Sequence, residues 1–296
     1  MAASWQFEAI GTHWQVDINE AVLKSELHDI KSEVQSRVES FDGVYSRFRS
    51  DSVVSRMARR KGRYRLPYDA RQLIGMYQEL YVLTRGLITP LIGQVLADAG
   101  YDESYSLQPK TLSKPPDWEE VLLFEPGSGQ AHPYLTLLQP ALLDFGAAGK
   151  GYLVDLTARI LAEHGLRSYC VDASGDMLQG NSSEQALRVG LEHPEDPNKV
   201  IGVAHIINAS LCGSAVNRRA WGEYHHIINP HNLKPVKGVR AVWVVAKTGL
   251  IADAIASSLF FVSAKRLQTR YDFEYVLLRD DYSYQKSDGF PGEMLV

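Results

Sequence analysis

The sequence predicts an α+β fold, as one domain over 1-296 or as two intertwined lobes. Three observations carry this: helical and alternating apolar patterns intermix along the whole chain, no linker of Pro, Gly or Ser divides it, and no repeat or low-complexity tract interrupts it. With 296 residues, 45% hydrophobic and 22% charged, the composition is that of an ordinary globular protein. A chain this long buries about three quarters of its unfolded surface, so it needs no metal or disulfide staple to fold. There are 31 Lys and Arg against 35 Asp and Glu, a net charge of -4, which argues against nucleic acid or a membrane surface as partner. Two cysteines, Cys170 and Cys212, exclude a disulfide framework and fit a reducing compartment. No apolar run reaches the roughly 18 residues of a membrane span.

The elements follow in chain order. Met1 to Glu8 has no basic region, apolar core or lipobox cysteine, so this start, if native, predicts a cytoplasmic protein. His13 to Ile18 alternates and reads as a half-buried strand. Leu27, Ile30, Val34, Val38 and Phe41 recur at helical spacing over Ser25 to Phe41, and Tyr45 to Ser52 forms a loop. A second helix begins at Asp69 as N-cap, turns Leu73, Tyr77, Leu80 and Leu83 inward, and ends at Gly86. Pro109, Pro115 and Pro116 make 102–117 irregular. Val121 to Phe124 and Tyr134 to Leu138 read as strands joined through Pro126 to Gly129. The second half alternates: a helix from Gly151 to His164 stopped by Gly165, a strand Ser168 to Val171, strands near Val200–Ile207 and Ala241–Ala246, a short helix from Ala252 to Val262, and a strand Glu274 to Leu278.

Chemistry concentrates in three places. Asp144-Phe-Gly-Ala-Ala-Gly-Lys150-Gly-Tyr152, with Asp155 beyond it, sets small residues between a strand and a helix. Backbone groups there can approach a ligand, the helix N-terminus favours an anion, and Lys150 offers a charge to a phosphate. The spacing is not that of a Walker A loop, and a tightly packed strand-to-helix turn explains the same residues. His225-His226-Ile227-Ile228-Asn229-Pro230 puts a histidine at a strand end before a turn, where it can act as a base. Adjacent strand residues face opposite ways, so at most one histidine reaches a given site, and a structural histidine is the plainer reading. Asp253 and Ser257 share one helical face at i, i+4, a hard-oxygen pair suited to Mg²⁺; a helix-start aspartate favouring the N-terminus is the alternative.

Taken in order, these clusters resemble the ApbE family, flavin transferases that use FAD to attach FMN to a protein threonine. The resemblance runs from Gly11-Thr12 to about Val262. Ser46-Arg47-Phe48-Arg49 followed by Asp51-Ser52 is similar to the family's Ser-Thr-Tyr-Arg-x-Asp-Ser, and Asp144 to Asp155 to its Asp-x-Gly-x-x-x-Lys-Gly-Tyr-x-x-Asp. Ser174-Gly175-Asp176 resembles Gly-Gly-Asp, Cys212-Gly213 part of Thr-Ser-Gly, His226 to Pro230 His-Ile-Ile-Asp-Pro, and Asp253 to Ser257 Asp-Ala-x-x-Thr.

The resemblance implies a single domain of intermixed helices and mostly antiparallel strands. It implies that Ala147, through its backbone, Asp253 and Ser257 surround Mg²⁺, and that Ile10, Phe48, Asp144, Lys150 and Ile227 line the FAD pocket. Phe48 would pack on the flavin, Leu91, Ile92 and Gly93 would contact the nucleotide, and His226 would take the catalytic position beside Lys150. The partner it implies is an acceptor flavoprotein bearing a threonine-containing motif, with AMP released. If water attacks instead, the same site is an FAD pyrophosphatase giving FMN and AMP; without attack it is a flavin-binding protein. The chain departs from the pattern at Ser257 for threonine, Asn229 and Thr89 for aspartate, Leu211 for threonine, and Asn232-Leu233 for Thr-Gly.

Overall fold

The computed structural model describes residues 2–181 and 185–295 and is organised by one eight-stranded antiparallel sheet. Its strands lie side by side in chain order: Ala3–Ala9, Thr12–Ile18, Tyr169–Asp172, Asp176–Gly180, Ser210–Ala215, Val239–Ala246, Glu274–Arg279 and Tyr284–Lys286. Long excursions leave this meander and return to it. The first, between Ile18 and Tyr169, carries the long helix Lys24–Tyr45, the helix Ala70–Thr84, a small antiparallel sheet and the helix Gly149–Glu163. The expected α+β class, with intermixed helices and antiparallel strands, is what the structure has.

The sheet has two apolar faces because its inner strands alternate two apolar sets. Val242, Val244 and Ala246 join Cys212 against the helices, while Ala241, Trp243 and Val245 join Leu211 and Met177 under a second, three-stranded sheet. That second sheet comprises Leu187–His193, Asp196–Ile206 and Gly292–Met294. On the helical side, Gly149–Glu163 and Gly249–Ser258 cross at their first turns. A Cβ on Gly151 would stand 2.1 Å from the Gly249 oxygen, and one on Gly249 2.3 Å from the Gly151 oxygen, so neither position accepts a side chain. Among the described residues no helix is long and apolar enough to cross a membrane.

Several boundaries differ from expectation. Met1, where the N-terminal reading begins, lies outside the described residues. The first strand, Ala3–Ala9, pairs with Thr12–Ile18 through a turn in which Ile10 and Gly11 both take positive φ, 45° and 72°. Val121 closes the short helix Trp118–Val121 instead of opening a strand, and the strand Tyr134–Leu137 stops before the exposed Leu138. Asp69 precedes the helix Ala70–Thr84, but its side chain does not cap it; the carboxylate pairs with Arg37 instead. Leu83 is half-buried, and the helix ends on Arg85 in a left-handed conformation (φ 56°), one residue before Gly86.

The largest correction concerns the helix expected from Ala252. It spans Gly249–Ser258 and is capped by Thr248, whose hydroxyl accepts the Ile251 N–H at 3.3 Å. Asp253 therefore sits in the helix interior and cannot be its N-terminal residue. The sequence hides its start because eight of its ten residues, all but Ile251 and Ser257, are buried, which erases the helical period.

Candidate active site

The site lies where the N-terminus of Gly149–Glu163 meets the segment Asp144–Ala148, beside the loop Ser46–Arg49 and the hairpin that His226 follows. Asp144 is held in place twice. Its carboxylate accepts from Arg47 Nε at 2.6 Å and from the Gly146 N–H at 2.7 Å. Arg47 is 5% exposed, donates a second bond to the Tyr101 oxygen at 2.6 Å, and was not singled out from the sequence. The Thr89–Gly93 stretch joins the same wall: the Asp144 N–H donates to the Pro90 oxygen at 2.7 Å, and a Cβ on Gly93 would lie 2.4 Å from the Leu142 oxygen. Thr89 caps the turn Pro90–Ile92, accepting the Leu91 N–H at 3.2 Å.

Lys150 pairs with a different carboxylate. Its ammonium pairs with the buried Asp176 at 2.7 Å and donates to the Ala173 oxygen at 3.2 Å. Burial presses its pKa down, but the charges of Asp176 and Asp253 outweigh that and leave it raised. Asp253 is 4% exposed and accepts the Gly151 N–H at 2.9 Å. Burial and the neighbouring Asp176 push its pKa up. Asp155 turns to the opposite side of the helix crossing and accepts the Gly249 and Leu250 N–H groups at 2.6 and 2.8 Å, so it is a helix cap and not a site residue.

A divalent cation fits this chemistry. Two buried carboxylates, Asp176 and Asp253, share one ammonium, so Asp253 keeps its proton up to about 8, and the charge of a cation would favour its ionised form. The Ala147 N–H donates to the Tyr77 hydroxyl at 3.1 Å, and the Tyr77 pKa is raised by burial and by the charges of Asp144 and Asp253. Ser257 lies one turn beyond Asp253, half-buried, its hydroxyl without a hydrogen-bond partner among the described residues. Among the described residues no three His, Cys, Asp or Glu converge as a metal cluster, so an ion here would rest on oxygen donors of mixed kind.

The two histidines separate cleanly. The strand Tyr224–His225 ends before His226, so the pair is not two neighbours on one strand as the sequence suggested. Both ring nitrogens of His225 are engaged, Nε2 with the Val236 oxygen at 3.0 Å and Nδ1 with the Ile227 N–H at 3.2 Å. His226 Nδ1 is buried with no partner. Burial, assisted by the Arg219 charge, pulls the His226 pKa down to about 4, so the imidazole is neutral at pH 7. Ile227 is buried in the main core.

Phe48 belongs to an aromatic group. Its ring stacks on Tyr105 at 5.2 Å and 13°, lies 5.3 Å from Tyr101, and has the Arg47 guanidinium 4.2 Å from its centroid. Tyr105 holds a positive φ of 51° in the segment expected to be irregular, and an ideal Cβ on Gly11 would sit 3.9 Å from its hydroxyl, which brings the Ile10 turn to this wall. The departures from the family pattern are structurally coherent. Asn229 Oδ1 accepts the His231 and Asn232 N–H groups at 2.8 and 3.3 Å, a turn-forming task that needs no charge. Leu211 is buried under the second sheet, and Leu233 takes a φ of 62°, the conformation that favours the glycine it replaces.

The ApbE family model matches residues 10–274. The FAD:protein FMN transferase of Treponema pallidum (strain Nichols) is 25% identical over 281 residues, covering 87% of this chain and 78% of that protein. The protein of the same name from Klebsiella pneumoniae (strain 342) is 21% identical over 281 residues, covering 88% and 79%. Among solved structures, the ApbE protein of Thermotoga maritima superposes with a TM-score of 0.84 at 18% identity, covering 99% of this chain and all of its own. The flavin transferase ApbE of Vibrio cholerae gives 0.74 at 18% identity, covering 98% and 99%.

Proposed function

The chain belongs to the ApbE family, and on that basis we propose that it is a Mg²⁺-dependent FAD:protein FMN transferase that joins FMN by a phosphoester bond to a threonine of an acceptor flavoprotein and releases AMP. The single observation that carries the reading is His226: a half-buried imidazole, neutral at pH 7, whose Nδ1 is buried and unpartnered beside the Asp144–Lys150 segment. A neutral imidazole with a free nitrogen can take the proton of a threonine hydroxyl as that oxygen attacks phosphorus. Asp144, fixed by Arg47, and Lys150, fixed by Asp176, give the substrate rigid walls, and Phe48 with its aromatic neighbours offers a surface for the flavin ring. Ile10, Ile227 and the Leu91–Gly93 turn complete the pocket in this reading.

Asp253, Ser257 and the Ala147 carbonyl would hold the cation, and Mg²⁺ when bound would neutralise charge on the diphosphate as it breaks. Two cysteines free of disulfides fit work in a reducing compartment such as the cytoplasm. The test mixes the protein with FAD, Mg²⁺ and a flavoprotein fragment carrying an Asp-x-x-Ser/Thr-x-Thr stretch, and follows flavin fluorescence on a denaturing gel. Fluorescence that stays with the fragment supports transfer. Free FMN and AMP alone would make the protein a pyrophosphatase, and unchanged FAD a flavin-binding protein.

A further inference from the structure

We propose that Arg219 is the residue that grips the diphosphate of the dinucleotide substrate, an inference that rests on the flavin-transferase reading above. Charge accounting at the site singles it out. The charge of Arg47 is balanced by Asp144 at 2.6 Å and that of Lys150 by Asp176 at 2.7 Å, and the one Arg47 nitrogen left without a partner, Nη2, is buried. Arg219 has no carboxylate partner among the described residues, and it is exposed. Its guanidinium carbon lies 5.5 Å from the centroid of the Tyr101 ring, at the edge of the aromatic group that contains Phe48. Its own carbonyl accepts the His226 N–H at 3.1 Å, which ties the backbone of Arg219 to that of His226.

The hairpin bearing both residues is anchored. Ala220–Trp221 pairs with Tyr224–His225, and the Trp221 indole N–H donates to the Ala99 oxygen at 2.8 Å, just before Tyr101. Arg219 therefore projects from a fixed strap onto the rim of the site. Its charge also acts on the buried Asp253 and on His226. A guanidinium is suited to this task because its forked donors match phosphate oxygens. The adjacent Arg218 does not qualify: it is paired with Glu192 at 3.0 Å.

The experiment titrates FAD and riboflavin, which lacks phosphate, into wild-type protein and into Arg219→Ala, Arg219→Lys and Arg218→Ala, by flavin fluorescence at two salt concentrations. Arg219→Ala is expected to weaken FAD roughly 10-fold, the loss of one charge-assisted contact, with riboflavin unchanged. Arg219→Lys should recover part of the loss, Arg218→Ala should match wild type, and the salt dependence of FAD binding should become shallower only in Arg219→Ala. Unchanged FAD affinity in Arg219→Ala, or equal weakening of FAD and riboflavin, would overturn the assignment. Wild-type protein that binds neither flavin would instead remove the transferase reading on which it rests.

Discussion

Asp155 and Asp253 cap each other's helices. Asp155, in Gly149–Glu163, accepts the Gly249 and Leu250 N–H groups at 2.6 and 2.8 Å; Asp253, in Gly249–Ser258, accepts the Gly151 N–H at 2.9 Å. Each carboxylate thus satisfies orphan donors at the start of the other helix, and the crossing closes because Gly151 and Gly249 let the two backbones touch. One of the two carboxylates faces the candidate cation site, so the architecture that places Asp253 is built from the same residues that hold the helices together.

The crossing should tolerate no side chain. Gly151→Ala and Gly249→Ala are each expected to cost about 1–3 kcal/mol or more, since a Cβ would meet backbone and not a yielding side chain. Urea unfolding measures this, and a variant of wild-type stability would show that the helices can separate without penalty.

Asp155 predicts a specific pH dependence. Burial pushes its carboxyl up to about 6, while the two backbone bonds pull it the other way. An acid raised in the folded state binds its proton at a pH where the unfolded chain, near 3.9, has released it. The folded state then holds more protons between about 4 and 6, and this group's contribution to stability falls as pH rises through that window. The difference in unfolding free energy between wild type and Asp155→Asn should change across the window and be flat above it. A difference independent of pH would contradict the raised value.

The histidines should divide labour. His226→Ala is expected to slow FMN transfer roughly 10²–10⁴-fold with little change in FAD affinity, as loss of a general base does. His225→Ala should chiefly lower the melting temperature, because both of its ring nitrogens bond the backbone. Because burial holds the His226 pKa near 4, the acid limb of the wild-type rate profile should lie well below the usual imidazole value of about 6.5. An acid limb near that usual value would show that another group is the base.

At the proposed cation site, Asp253→Ala should abolish Mg²⁺-dependent turnover, and Ser257→Ala should be milder, since water can replace a hydroxyl ligand. Magnesium titrations of transfer rate distinguish the two. Full activity of Asp253→Ala at low Mg²⁺ would move the metal elsewhere.

Phe48→Ala should weaken flavin binding by at least the stacking contribution of about 0.5–1.5 kcal/mol. Phe48→Tyr should retain it. Titration of riboflavin isolates the ring from the phosphates, and equal affinity in all three proteins would rule out Phe48 as the platform.

Much of this was legible in the sequence, for physical reasons that particular residues illustrate. The long helix was readable because Ile30, Val34, Val38 and Phe41 are all buried on one face of a chain otherwise polar. The helix bearing Asp253 was displaced by three residues because apolar burial on all sides hides its start. The strand Ala3–Ala9 escaped notice although Trp5 and Phe7 share a face, since a half-exposed edge strand carries a weak alternation. At the candidate site, the motifs single out Asp144, Lys150, His226 and Asp253 but carry no sign of the side chains they pair with. Arg47 with Asp144 and Lys150 with Asp176 are pairings across distant stretches of chain, fixed only when the sheet meander brings those stretches together.

The central claim is tested most directly by the intact mass of an acceptor fragment after incubation with this protein, FAD and Mg²⁺. The account predicts that the fragment gains one FMN, that the gain disappears when its motif threonine is replaced by alanine, and that AMP appears in equal amount. An acceptor of unchanged mass, with FAD either intact or split to free FMN and AMP, would contradict it.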